Sequence, residues 1–492
     1  MEAQSGLALS TGLLSGIDSA QLVDAMTARQ KIPIQAQEVK QHELRIKKEE
    51  YQSVNSAVFA VEDSLLQLSL NSTFNQKKAT FSTEDIIKVT PNTDSTPATY
   101  EVVVSQLAKA NKIASNQQTG TDAVVNTQET TISINGTSLI LGADTSLGQL
   151  KDSINSIAST TNVTAEIIDN RIILESSVTG AGNDMALVDE AGTLFADLGL
   201  VSGGANELQV AQDAQFTIDG LSVSRSENTF DDVVSDLKFE LQNTGSTSLE
   251  IDFDTDNTRT RVEDFVEKFN SAIELIYNKV NAERDFKLKG LNKDQLESMS
   301  QEEIDEREDS MRKQILSSDS LLQGLYNKLR SISYSIVESS GEFGGLNDIG
   351  ISTGKIGSNK DQTKVGRLVI YDETKFSEAL DNKMESVRLL FNSEKAAEED
   401  SDKKVGLAER FKLDLREYTE YNGILTRKAG RADSPSASLI DIEIGNLQAD
   451  ILFKNRNLLK YQETLLQTFT NMETSLAKLQ EQSSALTQAG GF

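Results

Sequence analysis

Near the carboxyl end, Ile444, Ile451, Leu458, Leu465, Met472, Leu479 and Leu486 recur every seven residues over six successive intervals. Such a repeat keeps one apolar stripe on one side of a slightly underwound helix, and it calls for a second helix to cover it. The companion positions are mixed, with Gln448, Asn455 and Gln462 first and then Phe469 and Leu476. Polar seam residues select register rather than add stability, so the distal half is the more adhesive. Burying seven such side chains is worth on the order of 10–20 kcal/mol before ordering entropy is set against it. Proline occurs only at Pro33, Pro91, Pro97 and Pro435, which leaves long helices permitted between Pro97 and Pro435.

Related stripes appear elsewhere. Leu44, Tyr51, Val54, Val58, Val61, Leu65 and Leu68 form a heptad seam, and Val262, Phe265, Val266, Phe269, Ile273, Ile276, Tyr277 and Val280 give an amphipathic helix. A third helix is expected through Ile315, Leu322, Leu325, Leu329, Ile332 and Ile336. The first sixteen residues, with Gly6, Gly12 and Gly16, read as a flexible lead-in, and Asp18 or Ser19 as the cap of the helix after it.

Between residues 74 and 255 the period falls to two. Tyr100, Val102 and Val104 alternate, as do Phe216 and Ile218, then Leu237, Phe239 and Leu241, then Leu249, Ile251 and Phe253. These predict antiparallel strands, with tight hairpins at Asn135-Gly136, Asp169-Asn170 and Asp219-Gly220. An internal echo, ISINGTSLILGADTSLGQLKDSI and FTIDGLSVSRSENTFDDVV, predicts strand, turn, strand and a capped helical turn twice. A further hairpin is expected at 349–371, and acidic stretches at 301–309 and 394–402 read as exposed helix face or linker. The whole is a multidomain α+β chain, in which a long α-helical coiled-coil or bundle domain is built from both chain ends around inserted antiparallel β-rich domains.

The 492 residues include no cysteine, which excludes disulfides and thiolate chemistry. A formal charge of −28 opposes nucleic acid and anionic lipid, whose binding draws on Lys and Arg. No apolar run is long enough to span a bilayer, so no membrane insertion is expected, and the amino terminus lacks the basic and apolar regions of a secretory signal. Composition alone points to the cytoplasm. With His42 as the only histidine, Ser-His-Asp triads, His-based zinc sites and facial iron triads have at most one of their imidazole members, and His42 itself reads as a surface helix position. TGAGND at 179–184 supplies only GxG, a plain turn. No catalytic residue, cofactor or enzymatic activity is expected. Asp252, Asp254, Asp256 and Glu263 stand at positions 1, 3, 5 and 12 of a calcium loop, with Asn257 where glycine belongs and Arg259 and Arg261 inside it. The alternative is that these aspartates end a strand and cap a helix beginning near Arg259.

The seam from Leu44 to Leu68 suits closure within one chain. At the extremities a short amino-terminal set faces a longer carboxyl-terminal stripe, so part of the latter is expected to meet another chain. The partner-binding residues on this reading are Ile17, Leu22, Val23, Met26, Ile32 and Ile34 at one end. At the other they are Leu458, Leu465, Phe469, Met472, Leu476, Leu479 and Leu486.

SGIDSAQLVDAM followed by Ile32-Pro33-Ile34 and a long helix with Tyr51 resembles the opening of the filament-capping hook-associated family called FliD. TYEVVVSQLAKANKIAS at 99–115, DAQFTIDGLSVSRSENTFDDVV at 213–234 and DFVEKFNSAIELI at 264–276 are similar to that family in the expected order. IGISTG at 349–354, GRLVIYDETKFSEAL at 366–380 and NMETSLAKLQEQSSAL at 471–486 complete the resemblance, which covers nearly the whole chain and is least specific at about 117–212. ISINGTSLILGADTSLGQLKDSIN is also similar to a small β-rich motif of flagellins and hook-junction proteins. Where that family usually has a glycine-containing segment ahead of its strand near 236, this chain reads VVSDLKFEL.

The resemblance implies terminal leg segments at 1–39 and 456–492 and a helical bundle at 40–73 and 256–455. It also implies a β-rich head at 74–116 and 213–255, with a second at 117–212 inserted in the first. It implies a structural cap at the distal end of the bacterial flagellar filament, which retains exported flagellin and promotes its folding and polymerisation. The partners it implies are further copies of the chain in a ring-like homo-oligomer, a pentamer on the filament, together with flagellin, hook-junction proteins and a flagellar export chaperone. The location becomes extracellular, at the flagellum tip, after export through the flagellar type III channel without a cleaved signal peptide. Lack of cysteine suits a chain threaded unfolded. The alternative from another class is a surface adhesin whose β-rich heads, chiefly 117–212, bind host or mucosal receptors.

Overall fold

The computed structural model describes residues 19–338, 341–353, 364–393, 405–433 and 437–489. The lead-in over 1–16, Asp18 and the acidic stretch at 394–402 lie outside the described residues. The chain divides into two compact units, Met1–Thr73 with Thr258–Phe492, and Phe74–Asn257. Among the described residues no helix is long and apolar enough to cross a membrane.

In the first unit a 50-residue helix, Ser19–Leu68, runs without interruption through Pro33. Tyr51, Val54, Val58, Val61, Leu65 and Leu68 are all buried, packed where the helix meets Leu407–Thr419 and Ile424–Ala429. Leu44 is only half-buried, and Ile46 takes the buried place nearest it. The Tyr51 hydroxyl donates to Asp319, which in turn accepts from the backbone N–H of Leu321 and Leu322 and so caps the helix Ser320–Ile332. Burial first, and then that carboxylate, push the Tyr51 phenol far above its ordinary value.

Helix Thr255–Asn281 buries Val262, Phe265, Val266, Phe269, Ile273, Ile276 and Val280, as the spacing predicts. The third expected helix is instead two, Gln301–Gln314 and Ser320–Ile332. Ser318 sits at φ 57 and Asp319 restarts the chain, so the apolar spacing continues across a break. Ile315 is therefore half-buried between helices and Ile336 is exposed beyond the second one. Ile351–Ser352 pairs antiparallel with Val369–Ile370, a short hairpin whose residues 354–363 lie outside the described ones.

His42 is not a surface position. Its ring is buried, its Nδ1 accepts from the Leu291 backbone N–H at 3.2 Å and its Nε2 faces Glu308 Oε1 at 2.9 Å. A ring nitrogen that accepts carries no proton, so Nε2 is the donor to Glu308. The residue fastens the first helix to Gln301–Gln314.

The second unit holds a five-stranded antiparallel sheet in the order Lys77–Phe81, Gly245–Phe253, Ala98–Gln106, Ala214–Ile218, Leu221–Arg225. Thr229–Phe230, Leu237–Leu241 and Ile87–Pro91 form a three-stranded sheet. Their inward residues, among them Val102, Phe216, Phe239 and Ile251, make one core. Residues 110–209 supply a second core, around Ile132, Leu150, Leu174 and Phe195, between a four-stranded sheet, a three-stranded sheet and the helix Leu147–Ser156.

The three expected hairpins are present. Asn135 and Gly136, Asp169 and Asn170, and Asp219 and Gly220 all have positive φ, the geometry that a two-residue turn demands between right-twisted strands. The internal echo holds only in its first copy, where Ser146 and Gln149 form a capping box. In the second copy no helix follows: Phe230 stacks on Phe216 at 4.9 Å and on Phe239 at 5.6 Å, which holds Thr229–Phe230 extended against Leu237–Leu241. In VVSDLKFEL it is Asp236 that takes the left-handed backbone, at φ 65.

Candidate assembly surface on the terminal helices

The last helix, Leu439–Ala489, is 51 residues long, about 77 Å at the usual rise per residue. It lies antiparallel to the first. Lys48 reaches Asp441 at 2.6 Å, Gln41 Nε2 donates to Gln448 Oε1 at 2.7 Å and Lys40 meets Glu443 at 2.7 Å. Further along, Gln37 Nε2 donates to Asp450, and Gln462 Nε2 to Thr27 Oγ1 at 3.5 Å. Carried on one residue at a time, this register sets Ser19 opposite about residue 470.

Most of this seam is polar. Among the described residues its apolar tie is a small cluster of Ile34, Ile451 and Leu458, with Val23 and Thr27 also buried further out. Two carboxylates in it sit below the usual range. For Asp441 burial alone would raise the value, but Lys48 and the Ser438 backbone and hydroxyl outweigh it. For Asp450 the cause is first Lys454 and then Gln37.

The expected partner-binding residues separate into groups. Ile17 lies outside the described residues. Val23, Ile34 and Leu458 are buried within the chain, whereas Leu22, Met26 and Ile32 are exposed. Leu465 and Phe469 are half-buried, and Met472, Leu476, Leu479 and Leu486 are exposed. Exposure climbs to 61% at Leu479 and 73% at Leu486, beyond the stretch of the first helix that is described.

Sequence reasoning missed a second exposed apolar set on the last helix, Leu452, Phe453 and Leu459, which turns away from the buried Ile451 and Leu458. Its signal was available, because residues one and eight positions on from Ile451 lie off the seam by helical geometry. Gln37 and Gln41, which bind the seam from the first helix, carry no periodic signal at all.

The four calcium candidates have other work. Asp252 accepts from the Phe253 N–H at 2.7 Å, and Asp254 accepts from the Asn257 N–H at 3.0 Å, capping a helix that starts at Thr255 rather than near Arg259. Asp256 pairs with Lys78 at 2.7 Å and Glu263 with Arg259 at 3.6 Å. Among the described residues no three His, Cys, Asp or Glu side chains are grouped to hold a metal ion.

Two family profiles match the chain: "Flagellar hook-associated protein 2 C-terminus" over residues 211–481 and "Flagellar hook-associated protein 2 N-terminus" over 15–111. The A-type flagellar hook-associated protein 2 of Pseudomonas aeruginosa is 25% identical over 97% of this chain and 96% of its own. The flagellar hook-associated protein 2 of Aeromonas caviae is 23% identical over 97% of each. In fold, the chain is similar to the D1-D2-D3 domains of the flagellar cap protein FliD from Escherichia coli, with a TM-score of 0.52 at 23% identity, covering 77% of this chain and 98% of that one. These matches lend no support to the adhesin alternative.

Proposed function

The chain belongs to the flagellar hook-associated protein 2 family, and from that premise we propose that it is a structural cap at the distal end of the bacterial flagellar filament. As a homo-oligomer it retains exported flagellin beneath it and promotes its folding and polymerisation. The observation that carries this is the last helix, whose apolar stripe is covered by the first helix at Ile451 and Leu458 and then left bare at Met472, Leu479 and Leu486. Bare stripes of this kind are surfaces for other subunits.

On this reading segments 1–39 and 456–492 are legs on flagellin, 40–73 and 256–455 the bundle, and the β-rich segments 74–116 with 213–255, and 117–212, a plate over the lumen. Five copies close the ring on the filament, hook-junction proteins are neighbours, and a chaperone accompanies the chain to export through the flagellar channel to the filament tip. A cap that advances must release its contacts, and the polar seam positions Gln448, Asn455 and Gln462 keep them breakable. Deleting residues 465–492 is expected to abolish assembly at the filament end while the β-rich unit still folds. Retained assembly refutes the proposal. Replacing Gln448, Asn455 and Gln462 together by Leu is expected to slow filament extension, and an unchanged rate counts against breakable contacts.

A further inference from the structure

Where Pro33 passes the last helix, a groove of about 600 Å³ opens between the two terminal helices. Its floor is apolar, with Pro33, Ile34, Leu458 and Tyr461, and its lips carry Arg29 and Lys454. Pro33 has no N–H to give the carbonyl of Arg29 its helical partner, so the backbone at the mouth is polar as well. The charge around the groove departs sharply from the rest of the chain. The groove lining carries two cations, Arg29 and Lys454, and no carboxylate, on a chain of formal charge −28. Lys454 is met by Asp450 at 2.8 Å and Lys31 by Asp24 at 3.4 Å. Among the described residues no ion pair engages Arg29.

A cationic, apolar-floored groove selects an acidic, amphipathic segment, and this chain exposes one. On the helix Gln301–Gln314, Glu302, Asp305, Glu306 and Asp309 are all exposed and stand at i, i+3, i+4 and i+7, a single face of the helix. Its buried side, Ile304 and Met311, is used within the chain, so the acidic side is the one presented outward. Leu296, exposed just ahead of it, offers an apolar side chain for the groove floor.

We propose that the groove at Pro33 takes the acidic face of Gln301–Gln314 from a second copy of this chain. The contact joins two different surfaces, so a single docking of two copies leaves one groove and one acidic face free. Repeated from copy to copy, it closes a ring or runs on as a chain. This rests on the homo-oligomeric reading above and names the surfaces through which copies meet. Opposed charges on a rim set orientation and weaken with salt, consistent with a contact that has to be specific and reversible.

The test is a four-way charge exchange on the full chain, with mass by light scattering over a range of concentrations at low and high salt. Arg29→Glu with Lys454→Glu, and separately Glu302→Lys with Glu306→Lys, should each raise the concentration of half-assembly by about tenfold or more. Combining both pairs should bring it back to within about threefold of the unaltered chain. Raised salt should weaken assembly of the unaltered chain and matter less to the single exchanges. Circular dichroism melts check folding. If Lys454→Glu splays the helices beside Asp450, Arg29→Glu alone replaces the groove pair. The proposal is overturned if the single exchanges leave assembly unchanged, or if the combined variant assembles no better than the worse single one. It is also overturned if the exchanges stop filament growth while self-assembly persists, which would assign the groove to a different acidic partner. An assembling chain indifferent to these charges removes only this contact, whereas a chain that is monomeric at every concentration removes the homo-oligomeric reading too.

Discussion

The pairing of the terminal helices hangs on very few apolar atoms, which makes Ile451→Ala an informative perturbation. Ile451 is 5% exposed and, among the described residues, shares its cluster with Ile34 and Leu458. Truncating a buried Ile costs about 2–5 kcal/mol, and a site at the edge of a two-helix pair, free to collapse, belongs near 2. The contacts left beside it are weak: the hydrogen bonds of Gln462 to Thr27, Gln37 to Asp450 and Gln41 to Gln448 are each worth about 1 kcal/mol, and the exposed pair Lys40 to Glu443 about 0.2–1. Local opening of the outer seam should therefore become about thirtyfold easier. Amide hydrogen exchange reads this directly, as faster exchange over residues 23–37 and 451–462. Residues 51–68 should keep their protection, because Tyr51, Val54 and Val58 are held by other helices of the bundle. Ile451→Val should show a third to a half of the effect on the free-energy scale. Protection altered less than about threefold by the alanine, or a loss spread evenly into residues 51–68, would refute the claim that the seam is held by this one cluster.

Asp236→Gly should leave thermal stability within about 0.5 kcal/mol, the left-handed backbone being natural to glycine, whereas Asp236→Val should cost about 1–3 kcal/mol in denaturant unfolding. His42→Leu strips Glu308 of its ring donor and the Leu291 N–H of its acceptor, and should lower unfolding free energy by about 2–4 kcal/mol; a loss under about 0.5 would contradict the buried bridge. The Asp441 and Asp450 carboxyls lie below their ordinary value of about 3.9, so their contribution to pairing is present above that pH and is lost as pH falls through the lower folded values. Fluorescence transfer between labels on the two terminal helices should drop over that acid range, and Asp441→Asn with Asp450→Asn should flatten the dependence.

Local chemistry was legible wherever a residue's own backbone or period dictated the outcome. Asn135-Gly136 and Asp219-Gly220 announce positive φ, and Val102, Phe216 and Leu249 announce a buried strand face, with no knowledge of what they pack on. Period alone also revealed the last helix, yet it gave Ile451 and Leu479 the same standing. One is buried and the other 61% exposed, because coverage depends on which residues the antiparallel register sets opposite each position, and that is fixed by Gln41 on Gln448 and Lys48 on Asp441. The same blindness joined Ile315 to Leu322 across Ser318, where a turn happens to preserve helical spacing. His42 was misread for a related reason, since a single polar residue carries no period and its partners, Leu291 and Glu308, lie some 250 residues away in sequence. An assembly surface is thus the part of a site that sequence conveys least. Its residue types can be read off the chain, whereas their vacancy follows from the reach of their neighbours.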